Sequence, residues 1–181
     1  MSGDRYTTLT AAVTEATPGT ITGTAMTYGV DIPRGPGLFE RVEAGAFKAQ
    51  LAAPNRVLVL WGHDWDAPIG RATSLKDADG RLVFEAKVSD NPAIPDAAKT
   101  LALLREGIVD EVSVGFEWGT WHEERDADTG ALTIVHTKGR LREFSVVPFG
   151  ALGREATVKS VASAGRLNIE AYRARLAALR S

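Results

Sequence analysis

The chain has no cysteine and three histidines, so a nucleophile must be a hydroxyl and a general base near neutral pH is to be sought at His63, His122 or His136. His63 stands in Leu60-Trp61-Gly62-His63-Asp64-Trp65-Asp66, just beyond an apolar run and behind a glycine that lets another backbone approach. His122, beside Glu123-Glu124-Arg125-Asp126, and His136, before Thr137-Lys138, read as ordinary surface residues of a hairpin. Among hydroxyls, Ser113 lies inside an alternating run, Glu111-Val112-Ser113-Val114-Gly115-Phe116. With Val112 and Val114 facing a core, Ser113 projects from the opposite face of a stiff strand, and Gly115 leaves open space on that face. Glu143, in Leu141-Arg142-Glu143-Phe144-Ser145-Val146-Val147-Pro148, shares a strand face with Ser145 and could orient an imidazole. It could equally pair with a neighbouring Arg, and Asp64 and Asp66 are rival orienting groups.

Other chemistries find less support. His63, Asp64 and Asp66 could contribute to a metal site, but alternate residues of a strand point to opposite faces and a second His would have to come from far away. Asp126-Ala127-Asp128-Thr129-Gly130 begins like a calcium loop yet lacks the third ligand, the glycine at position six and the terminal Glu, so it reads as a turn. There is no Gly-rich phosphate loop and no Gly-x-Ser-x-Gly elbow. Neither metal nor cofactor is expected. A formal net charge of −2 and pI near 5.9 argue against nucleic acid as the main partner. No run of 18 apolar residues suits a membrane span, and Met1 to Thr10 lacks the basic and apolar regions of a signal peptide, so a cytosolic protein is expected.

Recurring short strands with turns between them must position these groups. Thr20 to Met26 is rich in β-branched residues and reads as a strand. Val30 to Gly37 reads as a Pro/Gly-dense loop, and Ala44 to Ala52 as a short helix ended by Pro54. Arg56 to Trp61 is a continuous apolar run, expected to be a strand covered on both faces. Arg71 to Lys76 and Arg81 to Val88 flank an Asp79-Gly80 hairpin turn. Ile94 to Glu106 carries an apolar helical stripe, with Gly107 as its C-terminal cap. A second hairpin turns at Asp126 to Gly130 and returns from Leu132 through His136. A further strand is expected from Leu141 to Pro148. The fold class is α+β, mostly β, with a largely antiparallel sheet and two or more helices packed on it.

The end of the chain differs in kind. From Ala151 to Ser181 there are six basic residues against two acidic ones, a net of +4, which leaves −6 on residues 1–150. Lys159 to Gly165 reads as a small-residue linker, and Ile169, Tyr172, Leu176 and Leu179 as one apolar seam of a helix. The division expected is a domain over 1–150 and a basic segment over 151–181. That segment would be a helix docked on its own domain, a partner-binding arm or a removable tail.

A His at a strand end, a Ser in Ser-Val-Gly-Phe and a Glu in Glu-Phe-Ser-Val-Val-Pro, in that order, resemble the prohead (capsid maturation) serine proteases of tailed bacteriophages. The likeness extends over the strand near Gly23, Phe39-Glu40-Arg41-Val42-Glu43-Ala44-Gly45-Ala46-Phe47, Leu60 to Gly70, and the helix ending at Gly107. It implies a fold similar to the herpesvirus maturation proteases, a β-barrel-like sheet with flanking helices. By the resemblance, Ser113 is the nucleophile, His63 the general base and Glu143 the orienting acid of a serine endopeptidase. Herpesvirus enzymes use a second His in the third role. The Pro148-Phe149-Gly150-Ala151 segment also departs from a Pro-Ala type ending. The implied substrates are the scaffolding segment of the major capsid protein, or a separate scaffold, and the protease itself, inside the assembling prohead in the host cytoplasm. Backbone N–H groups near the active-site strands, assisted by Arg71, would serve the oxyanion, and association through helices would give a homodimer. The alternative is a non-catalytic capsid-assembly or scaffold protein with the same fold.

Overall fold

In a computed structural model, residues 18–152 and 155–162 of the chain are described, and they are dominated by one mixed sheet of nine strands. Strand β1 is Thr20–Thr27, and β2 (Ile32–Gly35) and β3 (Leu38–Val42) follow it. Helix α1 is only Lys48–Leu51, followed by a 3-10 turn at Pro54–Arg56, and then come β4 (Leu58–Trp61), β5 (Pro68–Ala78) and β6 (Arg81–Val88). Helix α2 (Pro95–Arg105) leads into β7 (Glu111–Arg125), β8 (Leu132–Val147) and β9 (Val158–Val161). The sheet runs in the order β2-β3-β8-β4-β5-β6-β1-β9, with β7 paired to β8 off that path.

Local chemistry explains most of these elements. Asp79 and Gly80 both take positive φ, 50° and 72°, the double left-handed turn that joins twisted strands without splaying them. Gly107, at φ 66°, lets its own N–H reach the Leu104 carbonyl and that of Ile108 the Leu103 carbonyl, closing the end of α2. Strand β4 lies between β5 and β8, which explains its unbroken apolar character: Val59 and Leu60 are fully buried.

Two expectations change and one is refined. The sheet is largely antiparallel as expected, but β8 runs parallel to both β3 and β4, which makes it mixed. The Pro/Gly-dense stretch expected to be a loop forms the β2–β3 hairpin, turning at Gly37 with φ 66°. The two strands expected at 132–136 and 141–148 are one 16-residue strand, paired with β7 along its length and accommodated by three register shifts.

The sheet is an open ladder whose ends come together at one point. There the Val112 N–H donates to the Ala156 carbonyl (2.7 Å) and the Val158 N–H to the Asp110 carbonyl (2.8 Å), an isolated bridge between β7 and the residues preceding β9. Beyond residue 150 the chain therefore returns to the sheet: β9 pairs with β1, and Ala156 is fully buried. The core is formed inside this wrap by residues such as Ile21, Met26, Val59, Leu82, Phe84, Val112, Phe144 and Val146, with α2 contributing Ala97 and Leu101. The helical seam expected at Ile169 to Leu179 lies outside the described residues. Among the described residues no helix is long and apolar enough to cross a membrane.

Candidate active site

The sequences of β7 and β8 interlock through their period of two. Register places Ser113 opposite Ser145 and Gly115 opposite Glu143, so Ser-x-Gly and Glu-x-Ser meet residue for residue in antiparallel sense. Partners directly opposite share a face, and Val112 and Val114 oppose Val146 and Phe144 on the other, core-facing side. On its second edge β8 pairs with β4, Glu143 with Leu58 and Ser145 with Leu60. The chain leaving β4 therefore turns directly over the Ser145 position.

That turn carries His63. Gly62 and His63 both take positive φ, 63° and 60°. For His63 this left-handed conformation is unfavourable unless its surroundings hold it. Two hydrogen bonds do so: the Gly62 N–H donates to the Val146 carbonyl at 3.1 Å and the His63 N–H to Ser145 Oγ at 3.0 Å. The imidazole then meets Glu143, with Nδ1 2.7 Å from Oε1. Since a carboxylate only accepts, Nδ1 carries the proton and Nε2 keeps its lone pair in the neutral ring.

Glu143 is 2% exposed and Ser145 not at all, whereas 44% of the His63 side chain is open to solvent. A buried carboxylate is costly unless its lone pairs are used. Here one oxygen accepts from the imidazole and the other, Oε2, accepts from the Ser145 hydroxyl at 2.7 Å. Gly115 makes the room: a Cβ there would overlap Glu143 Oε1, so any side chain would displace the carboxylate. The hydrogen bond to Glu143 raises the His63 pKa above its ordinary 6.5, partial burial opposes this, and the negative charge of Glu143 adds to the rise.

Of the two facing serines, only Ser113 has solvent-exposed surface. It is half-buried, while Ser145 is sealed and its hydroxyl is committed to Glu143. Among the described residues no hydrogen bond joins Ser113 Oγ to His63, as is common before a substrate tightens such a site. The group that can act chemically is thus a partly exposed imidazole with a free Nε2, backed by a buried anion, beside a hydroxyl on a strand.

The remaining candidates are elsewhere. Asp64 accepts from the Asp66 N–H at 2.8 Å and shapes the turn, and neither carboxylate bonds the His63 ring. Glu143 pairs with His63 and Ser145 in place of an Arg. Arg71 donates to the Asn55 carbonyl at 3.1 Å. His122 is on the surface, against Glu124. His136, expected on the surface, is instead fully buried, with the rings of Phe116 and Trp118 packed against it. Its Nε2 lies 2.7 Å from Glu40 Oε1, and Arg34 holds the other Glu40 oxygen. Asp126 accepts from the Thr129 N–H and hydroxyl, both at 2.7 Å, as a turn-former. Among the described residues no three His, Asp or Glu side chains are grouped to hold a metal.

The sequence reading gave Ser145 no part in orienting the imidazole. The space expected beside Ser113 at Gly115 is occupied by the Glu143 carboxylate. The signal available was the mirrored pair of two-residue patterns, which becomes informative only once β7 and β8 are placed side by side.

The fold is mostly β, and a His–Glu pair lies at the strand face where Ser113 opposes Ser145. The model of the caudovirus prohead serine protease family matches residues 7–168, and the chain belongs to that family. Among solved structures it is similar to the bacteriophage T4 capsid assembly protease gp21, with a TM-score of 0.51 and 15% identity over 71% of this chain and 80% of that one. No curated protein sequence matches the chain.

Proposed function

We propose that this protein is a serine endopeptidase of prohead maturation in which Ser113 is the nucleophile, His63 the general base and Glu143 the orienting acid. The observation that carries the reading is the Glu143–His63 hydrogen bond at the strand face where Ser113 opposes Ser145. His63 Nε2 takes the Ser113 proton as Oγ adds to a peptide carbonyl, and returns it to the amine as the C–N bond breaks. Water, deprotonated by the same imidazole, then adds to the acyl carbon, and the imidazolium returns the proton to Ser113 Oγ as the acyl C–Oγ bond breaks. Glu143 stays ionised and holds the proton on Nδ1. Backbone N–H groups near the active-site strands are the proposed oxyanion donors.

The substrates are the major capsid protein or its scaffold, as the description of the T4 neighbour as a capsid assembly protease suggests, and the chain itself. Cleavage takes place inside the prohead in the host cytoplasm and requires no metal or cofactor, nucleic acid or membrane. The Glu111–Thr157 bridge supports a barrel-like closure of the sheet. The pairing of β9 with β1 supports a protease unit that includes it, with any removable basic arm beyond Ala162.

Co-expression with the capsid protein tests the reading. The wild type should shorten the capsid protein, and Ser113→Ala should leave it full-length at equal expression. A fluorophosphonate probe should label Ser113. Cleavage undiminished in Ser113→Ala, or labelling at Ser145, would overturn the assignment.

A further inference from the structure

We propose that Ser145 is a positioning residue of this site, whose hydroxyl fixes both the Glu143 carboxylate and the backbone of His63. The hydroxyl is used in both directions. Its hydrogen goes to Glu143 Oε2 at 2.7 Å, and its oxygen accepts the His63 N–H at 3.0 Å. One fully buried atom thus joins the anion to the main chain of the imidazole it serves. Glu143 lies toward the C-terminal end of β8 and His63 on a left-handed turn beyond β4, so Ser145 adds a second tie beside the Gly62–Val146 hydrogen bond.

Each bond has a physical task. A carboxylate on a long side chain can rotate, and Oε1 faces the imidazole only while Oε2 is held from the other side. The left-handed φ of His63 is sparsely populated by residues with a Cβ, and a hydrogen bond from its own N–H keeps the ring over Glu143. Ser145 also lies opposite Ser113 in the β7–β8 register. The residue that fixes the base therefore shares a strand pairing with the nucleophile, so base and nucleophile are referenced to one another through β8. Full burial and the absence of open access give Ser145 no contact with substrate, and it acts only through its two partners.

The inference rests on the proposed role of His63 and is tested by measurements that separate the two. In Ser145→Ala the carboxylate and the turn lose their common anchor. The rate of fluorophosphonate labelling at Ser113 should fall about 10²-fold, the order expected for a misplacement near 1 Å. The His63 titration followed by NMR should move down toward an ordinary imidazole. Ser145→Thr, which keeps the hydroxyl, should recover most of both. Unchanged or raised His63 titration in a folded Ser145→Ala protein would overturn the proposal. So would Ser145→Ala and Ser145→Thr that both fail to fold, which would make the residue purely structural. If wild type is not labelled at Ser113 while the His63 titration still responds to Ser145→Ala, the protease reading fails and the positioning role stands.

Discussion

At the scale of single residues, two equally close His–Glu pairs in the same molecule differ in how far they are open to solvent. His136 and Glu40 are as close as His63 and Glu143, 2.7 Å in both cases. The His136 ring is closed in by Phe116 and Trp118 and has no exposed surface. The His63 ring is nearly half exposed and keeps Nε2 free. Because hydrogen bonding to Glu143 holds the His63 pKa above 6.5, the neutral base forms only as pH rises past that raised value. Labelling of Ser113 should therefore increase with pH through a midpoint above 6.5. Glu143→Gln should lower that midpoint and slow the reaction on the order of 10⁴-fold, measured as labelling rate against pH. The sign for stability is opposite: the ionised pair contributes below the unfolded pKa and is lost as pH rises through the folded one. Exposure of the ring keeps that contribution small.

At the scale of elements, the site depends on how β7 and β8 face each other. Gly115 is the sensitive point, because a methyl group there takes the space of Glu143 Oε1. Gly115→Ala should lower Ser113 labelling by roughly 10²-fold, with His63 shifted toward its ordinary pKa in the same NMR titration. The positions of His63, Ser113 and Glu143 on a strand end and two strand faces were legible from local pattern alone. Alternation of Val112 and Val114 put Ser113 on the outer face, and the apolar run through Leu60 put His63 just past a buried strand. The β2–β3 hairpin was not legible, since its stability comes from parallel pairing of β3 with residues 132–136 of β8. For the same reason the polar stretch Thr137-Lys138-Gly139-Arg140 looked like a gap, although β7 carries the pairing across it. Gly139 packs there against the rings of Phe47 and Phe116, a close approach that no sequence window reports.

At the scale of the whole molecule, β9 joins the ends of the sheet. Ala156 and Val158 are buried and the segment bonds both β1 and β7, the latter at Val112, next to Ser113. Ending the chain after Gly150 should remove those contacts and cost about 3 kcal/mol, judged from burial of a valine and its neighbours. That is about 10 °C in thermal midpoint for a chain of this size. Thermal unfolding followed by circular dichroism measures the difference. A charge profile that separates a −6 body from a +4 end could not show this, because it counts side-chain charge while β9 is held by backbone hydrogen bonds and apolar burial. The sequence by itself narrowed the candidate chemistry, since the absence of cysteine excludes a thiol nucleophile and three histidines leave few candidate bases. It also determined the local elements whose hydrophobic period and turn residues are self-sufficient. Only the tertiary structure decided which His is open and which is sealed, which serine is accessible, and why a glycine must face Glu143. Those properties depend on register between strands far apart in the chain, and register is set by the packing of the whole sheet.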